Sequence, residues 1–504
     1  MSYTHAERAL ATELASVRPD LTDRFRAALP AARAAVLARL WRGLVHEPLP
    51  WVVRRTTTAD GVALMLADGR RLHGPPSDPW AVDTPVAAVE LDGTPYDHPA
   101  GLLAALALPD SARFTADVGH SVASLALSRT AAPAPDGPPA QPWGWEQRPT
   151  DGHPYHPACR SRPGFSAAEQ LAYAPEHRPV VGLRLTPVPD ARVSGAWPAG
   201  LRDGPAVLVP VHPWQAGHVL TGRTWLPGPD AHPLMSLRTL HVDGAGDGGP
   251  VHVKTALSTQ LTSSVRDISA YSVAHALATS EALERVAGSL GGRLHIARTL
   301  AAAGDGSAEL AAMLRESPYG YADARAGEQV VPVAALGARL ADRSPHERLD
   351  RITALARLAL GVCLDLLDRG VALEAHGQNL LAVLDADGHP RRLVYRDLAD
   401  IRLSPALLTR HGFPAPPLTG RLLEDDPARL RRQSLGCLVG SALGPLAGDA
   451  GTLGRVLDAA TRDLPAGPAV RALRSRPLPA KALTLRRLAP GGDQWTNLPN
   501  PLAG

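Results

Sequence analysis

Residues 374–397 read EAHGQNLLAVLDADGHPRRLVYRD, and this stretch decides how the C-terminal third folds. Leu380–Leu384 and Leu393–Tyr395 are short runs of strand-forming residues. Asp387-Gly388 lies between them as a tight-turn pair, so the spacing predicts a β-hairpin. Just upstream, residues 347–369 predict a helix. Leu349, Ile352, Leu355, Ala359, Val362 and Leu366 form its apolar stripe, and Gly370 ends it. Polar residues gather at the open end of the hairpin: Glu374, His376, Gln378 and Asn379 before it, Arg396 and Asp397 after it.

Two oxygen ligands, Asn379 and Asp397, can meet across such a hairpin and hold Mg²⁺ between the phosphates of ATP. Protein-kinase-like phosphotransferases use the same helix–loop–Asn–hairpin–Asp order. Helices are expected to fill residues 427–463 beyond it.

Working toward the N-terminus, Leu237–Val242 and Val251–Ser258 flank an Asp-Gly-rich loop and predict a second hairpin, and Thr262–Ala287 predicts a helix capped by Thr262 or Ser263. Hydroxyls and cations alternate here: Ser236, Arg238, Thr239, Lys254, Thr262, Ser263, Arg266. A helix start at Thr262 would offer free backbone N–H groups to a phosphate, with Arg266 one turn in on the same side. Lysine occurs only at 254 and 481 among the 52 Lys plus Arg. Lys254 is therefore expected to be retained for its chemistry, and Lys481, outside every motif, to be a bystander.

Val180–Leu185 and Ala206–Val211 read as strands, the second running into VPVHPWQ (209–215), where Trp214 reads as a core anchor. Before them lies GHPYHPACRSRPGF (152–165). Its prolines hold His153 and His156 in a fixed backbone, and Arg160 and Arg162, two apart on an extended segment, would face one anion. The Pro-rich run 131–143 cannot be a helix or a central strand and marks a boundary. N-terminal to it, helices are expected at 5–16, 20–45, 99–107 and 112–130. A meander of Trp51–Thr57, Val62–Leu66 and Arg70–Leu72 turns at Asp60-Gly61 and Asp68-Gly69.

The 504 residues allow roughly two to four domains. A formal net charge of +3 excludes a nucleic-acid coat protein. Three dispersed cysteines exclude a disulfide framework. No run of 18 apolar residues and no apolar signal core occur, so the expectation is a cytoplasmic protein that binds neither membrane nor nucleic acid. The predicted class is α+β, in three parts: residues 1–140, 141–335 and 336–504.

Taken together, GHPYHPACRSRPGF, HPWQ, SLRT, Lys254 followed by TSSVR, and EAHGQN with Arg396-Asp397 resemble, in order, the motifs of the IucA/IucC family of siderophore synthetases, which work independently of nonribosomal peptide synthetases. Arg160 stands where that family usually has lysine. The resemblance implies a cupped hand with an N-terminal thumb, a fingers domain and a palm, commonly a homodimer. It implies an enzyme that uses ATP and Mg²⁺ to adenylate a carboxylate, usually citrate or a citrate or succinyl derivative, then joins it to an amine or hydroxyl with release of AMP. By the same resemblance, Ser236, Arg238, Thr239, Lys254, Thr262, Ser263 and Arg266 hold the nucleotide. His156, Arg266 and His376 face the reacting carboxylate, and His153, Arg160 and Arg162 contact substrate. Gln378 orients nucleotide or acyl group, and Glu374, Asn379 and Asp397 are the metal side. Two other readings are a kinase-like phosphotransferase, which rests on residues 374–397 alone, and a non-catalytic binding homologue, which should have lost these cations and oxygen ligands.

Overall fold

The structure is a computed structural model that describes residues 3–134, 137–244, 249–489, 491 and 494–502. Parts of the Pro-rich run (135–136) and of the Asp-Gly-rich loop (245–248) lie outside the described residues. The architecture is mixed α/β.

The N-terminal part packs the helices His5–Val17, Thr22–His46 and Ala112–Ala131 against a five-stranded meander. Its core includes Leu14, Phe25, Leu40, Trp41 and Leu125. The first helix starts in a full capping box, with Thr4 accepting from the Glu7 N–H and Glu7 accepting from the Thr4 N–H. Deeper in, Glu7 takes a fork-shaped pair of bonds from Arg33 at 2.7 and 2.8 Å.

The middle part is a nine-stranded sheet among the described residues. Its centre runs Ala311–Glu316, Val251–Thr255, Thr239–Val242, Leu226–Pro233. The expected hairpin is present: Thr239 pairs with Lys254 and Val242 with Val251. The expected helix at 262–287 is not. Leu257–Leu261 and Ser264–Arg266 instead form a small hairpin with Thr262-Ser263 at its turn, where Thr262 has a left-handed φ of 56°. The helix begins later, Ala270–Gly288, capped by Ser269, whose Oγ accepts from the Ser272 N–H. Thr262, Ser263 and Ser269 all carry cap chemistry. The pairing of Leu257 with Arg266, which local sequence does not encode, decides among them.

The C-terminal part holds the helix Pro345–Asp368, stopped where Gly370 takes φ 85°, and the hairpin Leu380–Leu384 with Pro390–Tyr395, turning at Gly388 with φ 81°. This hairpin is the centre of a four-stranded sheet whose outer strands, Leu294–Ile296 and Gln329–Pro332, come from the middle of the chain. The two regions therefore share one sheet, and the polar end of the hairpin faces the nine-stranded sheet. The last segment ties the parts together. Leu478–Lys481 pairs with Trp495–Leu498, and Leu485 and Leu488 enter the N-terminal core.

Candidate active site

A cleft opens where the central strands meet the hairpin. Ser236, Thr239, His252, Arg315, Gln378, Asn379, Arg396 and Asp397 line it. Two of the anticipated motifs reach it from opposite sides. Strand alternation turns Lys254 to the cleft face, and its ammonium grips both oxygens of Asp397 at 2.8 and 2.9 Å, across 143 residues. Arg315 adds a third bond to Asp397 at 3.1 Å. Asp397 itself has a left-handed φ of 65° directly after the strand, which turns its side chain back across the sheet.

Burial alone would raise the Asp397 carboxyl, but Arg315, Lys254 and Arg238 outweigh it and hold the group well below its ordinary value. Burial, then Arg315, pull the Lys254 ammonium down to about 7 against the attraction of Asp397. Burial takes Arg238 down to about 10. One carboxylate thus serves several cations in a desolvated place, and the local balance is positive.

Ser236–Thr239 is a tight turn. Leu237 has φ 67°, and the Ser236 hydroxyl accepts from the Thr239 N–H at 3.2 Å. Arg238 donates to the carbonyls of Arg266 and Asp267, which fixes the strand carrying Arg266. Arg266 is not one turn into a helix, as expected, but at the end of the small hairpin. Its guanidinium donates to the Leu261 carbonyl and the Thr262 hydroxyl at 2.9 Å each. Ser263 shares that turn, so the two residues anticipated as a helix start are a hairpin tip, and no helix N-terminus meets the cleft there.

The metal-side candidates divide. Asn379 and Asp397 both line the cleft. Glu374 does not. It is paired with Lys481 and lies 3.9 Å from His376. Lys481 is therefore no bystander, and both lysines of the chain end on carboxylates of the same hairpin region. Among the described residues no group of three or more His, Cys, Asp or Glu is arranged to hold a metal ion.

The histidines share one device. The Nδ1 of His153 accepts from the Tyr155 N–H, that of His156 from Ala158, and that of His376 from Gln378, at 3.2, 2.9 and 3.3 Å. An acceptor at Nδ1 puts the ring proton on Nε2, so each ring presents a donor away from its own turn. In the first motif Gly152 makes the approach possible, because a Cβ there would lie 2.4 Å from the Cys159 carbonyl oxygen. Burial pushes His153 down to about 3 and His156 and His376 below their ordinary value, so all three are neutral. His153 and His156 stand 6.0 Å apart, and His376 and Lys481 act on His153 electrostatically as Arg266 acts on His156. The Nε2 of His156 is buried without a partner.

Arg160 and Arg162 lie in a turn rather than on an extended strand, and the anion they face is internal. Both donate to Glu176, at 3.3 and 2.7 Å, and Arg160 also holds the carbonyls of Pro149 and Thr150. Ser128 donates to the same carboxylate. Trp214 is a core anchor as expected, stacked on Phe165 at 4.7 Å.

Arg315 is not singled out by the sequence, and Lys481 is expected there to be a bystander, because neither sits in a recognisable motif. Alternation along Ala311–Glu316 puts Arg315 on the cleft face, but its position opposite His252 is a matter of register. Glu146, likewise missed, takes two bonds from Arg396 at 2.6 and 2.7 Å and fixes the start of the Arg396-Asp397 pair.

Residues 143–338 match the IucA / IucC family. Residues 352–494 match a family described as ferric iron reductase FhuF-like transporter. None of the curated proteins matches the chain. The fold is that of the petrobactin biosynthesis protein AsbB from Bacillus anthracis str. Sterne, with a TM-score of 0.77 at 18% identity over 96% of this chain and 98% of that one. Aerobactin synthetase IucC from a hypervirulent pathotype of Klebsiella pneumoniae gives 0.70 at 19% over 95% and 99%. The ATP-bound aerobactin synthetase IucA from the same source gives 0.64 at 19% over 94% and 99%. Among the described residues no helix is long and apolar enough to cross a membrane. Five motifs in order, a match of residues 143–338 to the IucA / IucC family and a fold shared over nearly the whole length make the chain similar to the siderophore synthetases of that family.

Proposed function

We propose that the chain is a siderophore-biosynthesis ligase that adenylates a carboxylate, citrate or a citrate or succinyl derivative, and condenses it with an amine or hydroxyl. The observation that carries this reading is the excess of cations around Asp397: buried Lys254 and Arg315 and half-buried Arg238, with Arg266 adjoining. Such a cleft suits a polyphosphate, and the solved relative described as ATP-bound supports ATP as the nucleotide. In the reaction a carboxylate oxygen attacks the α-phosphorus and the bond to the bridging oxygen breaks, so pyrophosphate leaves. The amine or hydroxyl then attacks the acyl carbon, and AMP departs with the carboxylate oxygen.

Attack of one anion on another needs cations already in place, because side chains that reorganise during the step cost barrier height. Ser236, Thr239 and Thr262 would add hydroxyls to the phosphate shell. Asn379 and Asp397 have the oxygen donors that suit Mg²⁺, which would neutralise phosphate charge when bound. Glu374, engaged by Lys481, belongs instead to the carboxylate side, with His153, His156 and His376. Their Nε2–H groups are donors, so their role is to bind and polarise the carboxylate rather than to remove a proton. Arg266, between the two groups, would screen the developing charge. Gln378 lines the cleft and would orient nucleotide or acyl group. Arg160 and Arg162 act through Glu176 as supports of the His-Pro turn.

A kinase-like phosphotransferase remains the competing reading, favoured by Asn379 and Asp397 sharing one hairpin and one cleft. Pyrophosphate exchange into ATP, screened over citrate, citryl amides, succinyl hydroxamates and 2-oxoglutarate, separates the two. Exchange stimulated by one of these acids supports adenylation. Release of ADP without AMP overturns it.

A further inference from the structure

Four residues form a row across adjacent strands, of which His252 and Arg315 line the cleft: His232 pairs with His241, His241 with His252, and His252 with Arg315. Direct cross-strand partners point to the same face of a sheet, so the row is a line of three imidazoles ending in a guanidinium. The other two rings lie outside the cleft lining and have neighbours, although the His241 Nδ1 is buried without a partner. Trp143 stacks on His232 at 4.1 Å, and the His241 Nε2 lies 3.1 Å from Asp243. Arg315 leans along its own strand, toward Met313 and Asp397.

His252 is different. It is 2% exposed and lines the cleft, and its Nε2 has no hydrogen-bond partner. Its ring is packed in place, 5.6 Å from His241 and 5.8 Å from Tyr319. Burial, with Arg396, His241 and Arg315 nearby, holds it well below its ordinary value, so it is neutral. A neutral imidazole has one donor and one acceptor. Such a group is a poor partner for a phosphate and a good one for a hydroxyl, which can accept and donate in turn. A buried polar atom left without a partner is costly, which points to a ligand that supplies one.

Position narrows the ligand. His252 and Lys254 are two apart on one strand and share its face, so they stand about 7 Å apart along it. That spacing carries a nucleotide from its phosphates to the hydroxyl pair of its ribose and falls short of the base. We infer that His252 is a specificity-determining residue that hydrogen-bonds the ribose hydroxyls of the nucleotide held in the cleft. The inference rests on the reading of the cleft as an ATP site.

Calorimetric titration of the full chain with ATP and with 2′,3′-dideoxy-ATP tests it. Wild type is expected to bind ATP about 3- to 10-fold more tightly than the dideoxy nucleotide, the range of one net hydrogen bond. His252→Phe keeps an aromatic ring against His241 and Tyr319 but removes both nitrogens. It should bind the two nucleotides equally, at the affinity wild type has for the dideoxy form, with an unchanged melting temperature. His252→Asn, which restores a donor and an acceptor, should regain part of the preference and serves as the folded control. A His252→Phe protein that keeps the full preference for ATP overturns the inference, as does a wild type with no preference. A wild type that binds neither nucleotide overturns the ATP reading beneath it, a different result.

Discussion

The cations around Glu176 and those around Asp397 differ in what completes them. Around Glu176, Arg160 and Arg162 meet one carboxylate whose remaining capacity is used by Ser128, and the arginines spend further N–H groups on backbone carbonyls. That cluster is closed. Around Asp397, Lys254 and Arg315 share a carboxylate that still borders a cleft, with Arg238 and Arg266 close by. That cluster is open, and its charge is balanced only when an anion arrives. Density of arginine in the sequence does not separate the two cases. What separates them is whether the protein supplies the counter-charge itself.

Function and stability should therefore come apart under mutation. In the open cluster, Arg266→Ala should reduce pyrophosphate exchange by roughly two to four powers of ten, about 3–5 kcal/mol of barrier. Its melting temperature should stay close to wild type, since the side chain holds only its own hairpin turn. A folded variant with near-normal exchange would move the site elsewhere. In the closed cluster the pattern reverses. Glu176→Ala strands two buried guanidinium groups and should cost about 3–5 kcal/mol of stability, seen as a lowered denaturation midpoint. Nucleotide affinity of the protein that remains folded should be unchanged. A Glu176→Ala protein that melts normally but binds ATP poorly would erase the distinction.

A third carboxylate sharpens the comparison through pH. The Glu47 carboxylate is buried and accepts from the N–H groups of Thr484 and Leu485, where the last segment docks on the N-terminal part, while Arg55 donates to the Glu47 backbone carbonyl. Burial raises it from 4.5 to about 7. Between those values the folded chain keeps a proton that the unfolded chain releases. The contribution of this group is therefore fully present below pH 4.5 and is lost as pH rises through 7, on the order of 3 kcal/mol. Glu176 has the opposite sign: Arg160 and Arg162 overcome burial and hold it well below its ordinary value, so its contribution is lost only in acid. Melting curves from pH 5 to 8 should show Glu47→Gln gaining relative to wild type as pH rises. Parallel curves would mean that Glu47 is ionised throughout.

The smallest expected effect concerns the two lysines. Lys254→Arg keeps the charge but puts a wide planar group where a compact ammonium bridges both oxygens of Asp397, and should slow exchange at least ~10-fold, about 1.4 kcal/mol. Lys481→Arg, first expected to be silent, should now show a smaller but measurable loss, because Lys481 is the partner of Glu374 beside His376. Equal exchange by wild type and Lys254→Arg would make the rarity of lysine an accident of composition.

The legible parts of this fold were those written locally. The stripe from Leu349 to Leu366 and the Asp-Gly turn at 387–388 carry their own periodicity and turn chemistry, and both elements stand where these place them. The fixed histidines were legible too, since a proline after His153 and after His156 limits the backbone to conformations that bring the N–H two residues on to Nδ1. The hairpin at 257–266 was not. Its Thr-Ser-Ser run has the chemistry of a helix cap, and only pairing with Leu257 makes it a turn. Nor were the partners of the site cations: Lys254 with Asp397, Lys481 with Glu374 and Arg160 with Glu176 are set by how the sheets and the last segment pack. Motif order could point to the cleft, but not to which arginines the protein satisfies by itself.

The central claim is that the open cluster serves attack of a carboxylate on the α-phosphorus of ATP. It is tested most directly by following oxygen from a substrate acid labelled with ¹⁸O in its carboxylates, using whichever acid stimulates exchange, through a full turnover with an amine or alcohol. The account predicts that label appears in AMP. Label in inorganic phosphate, with ADP as the nucleotide product, would contradict it.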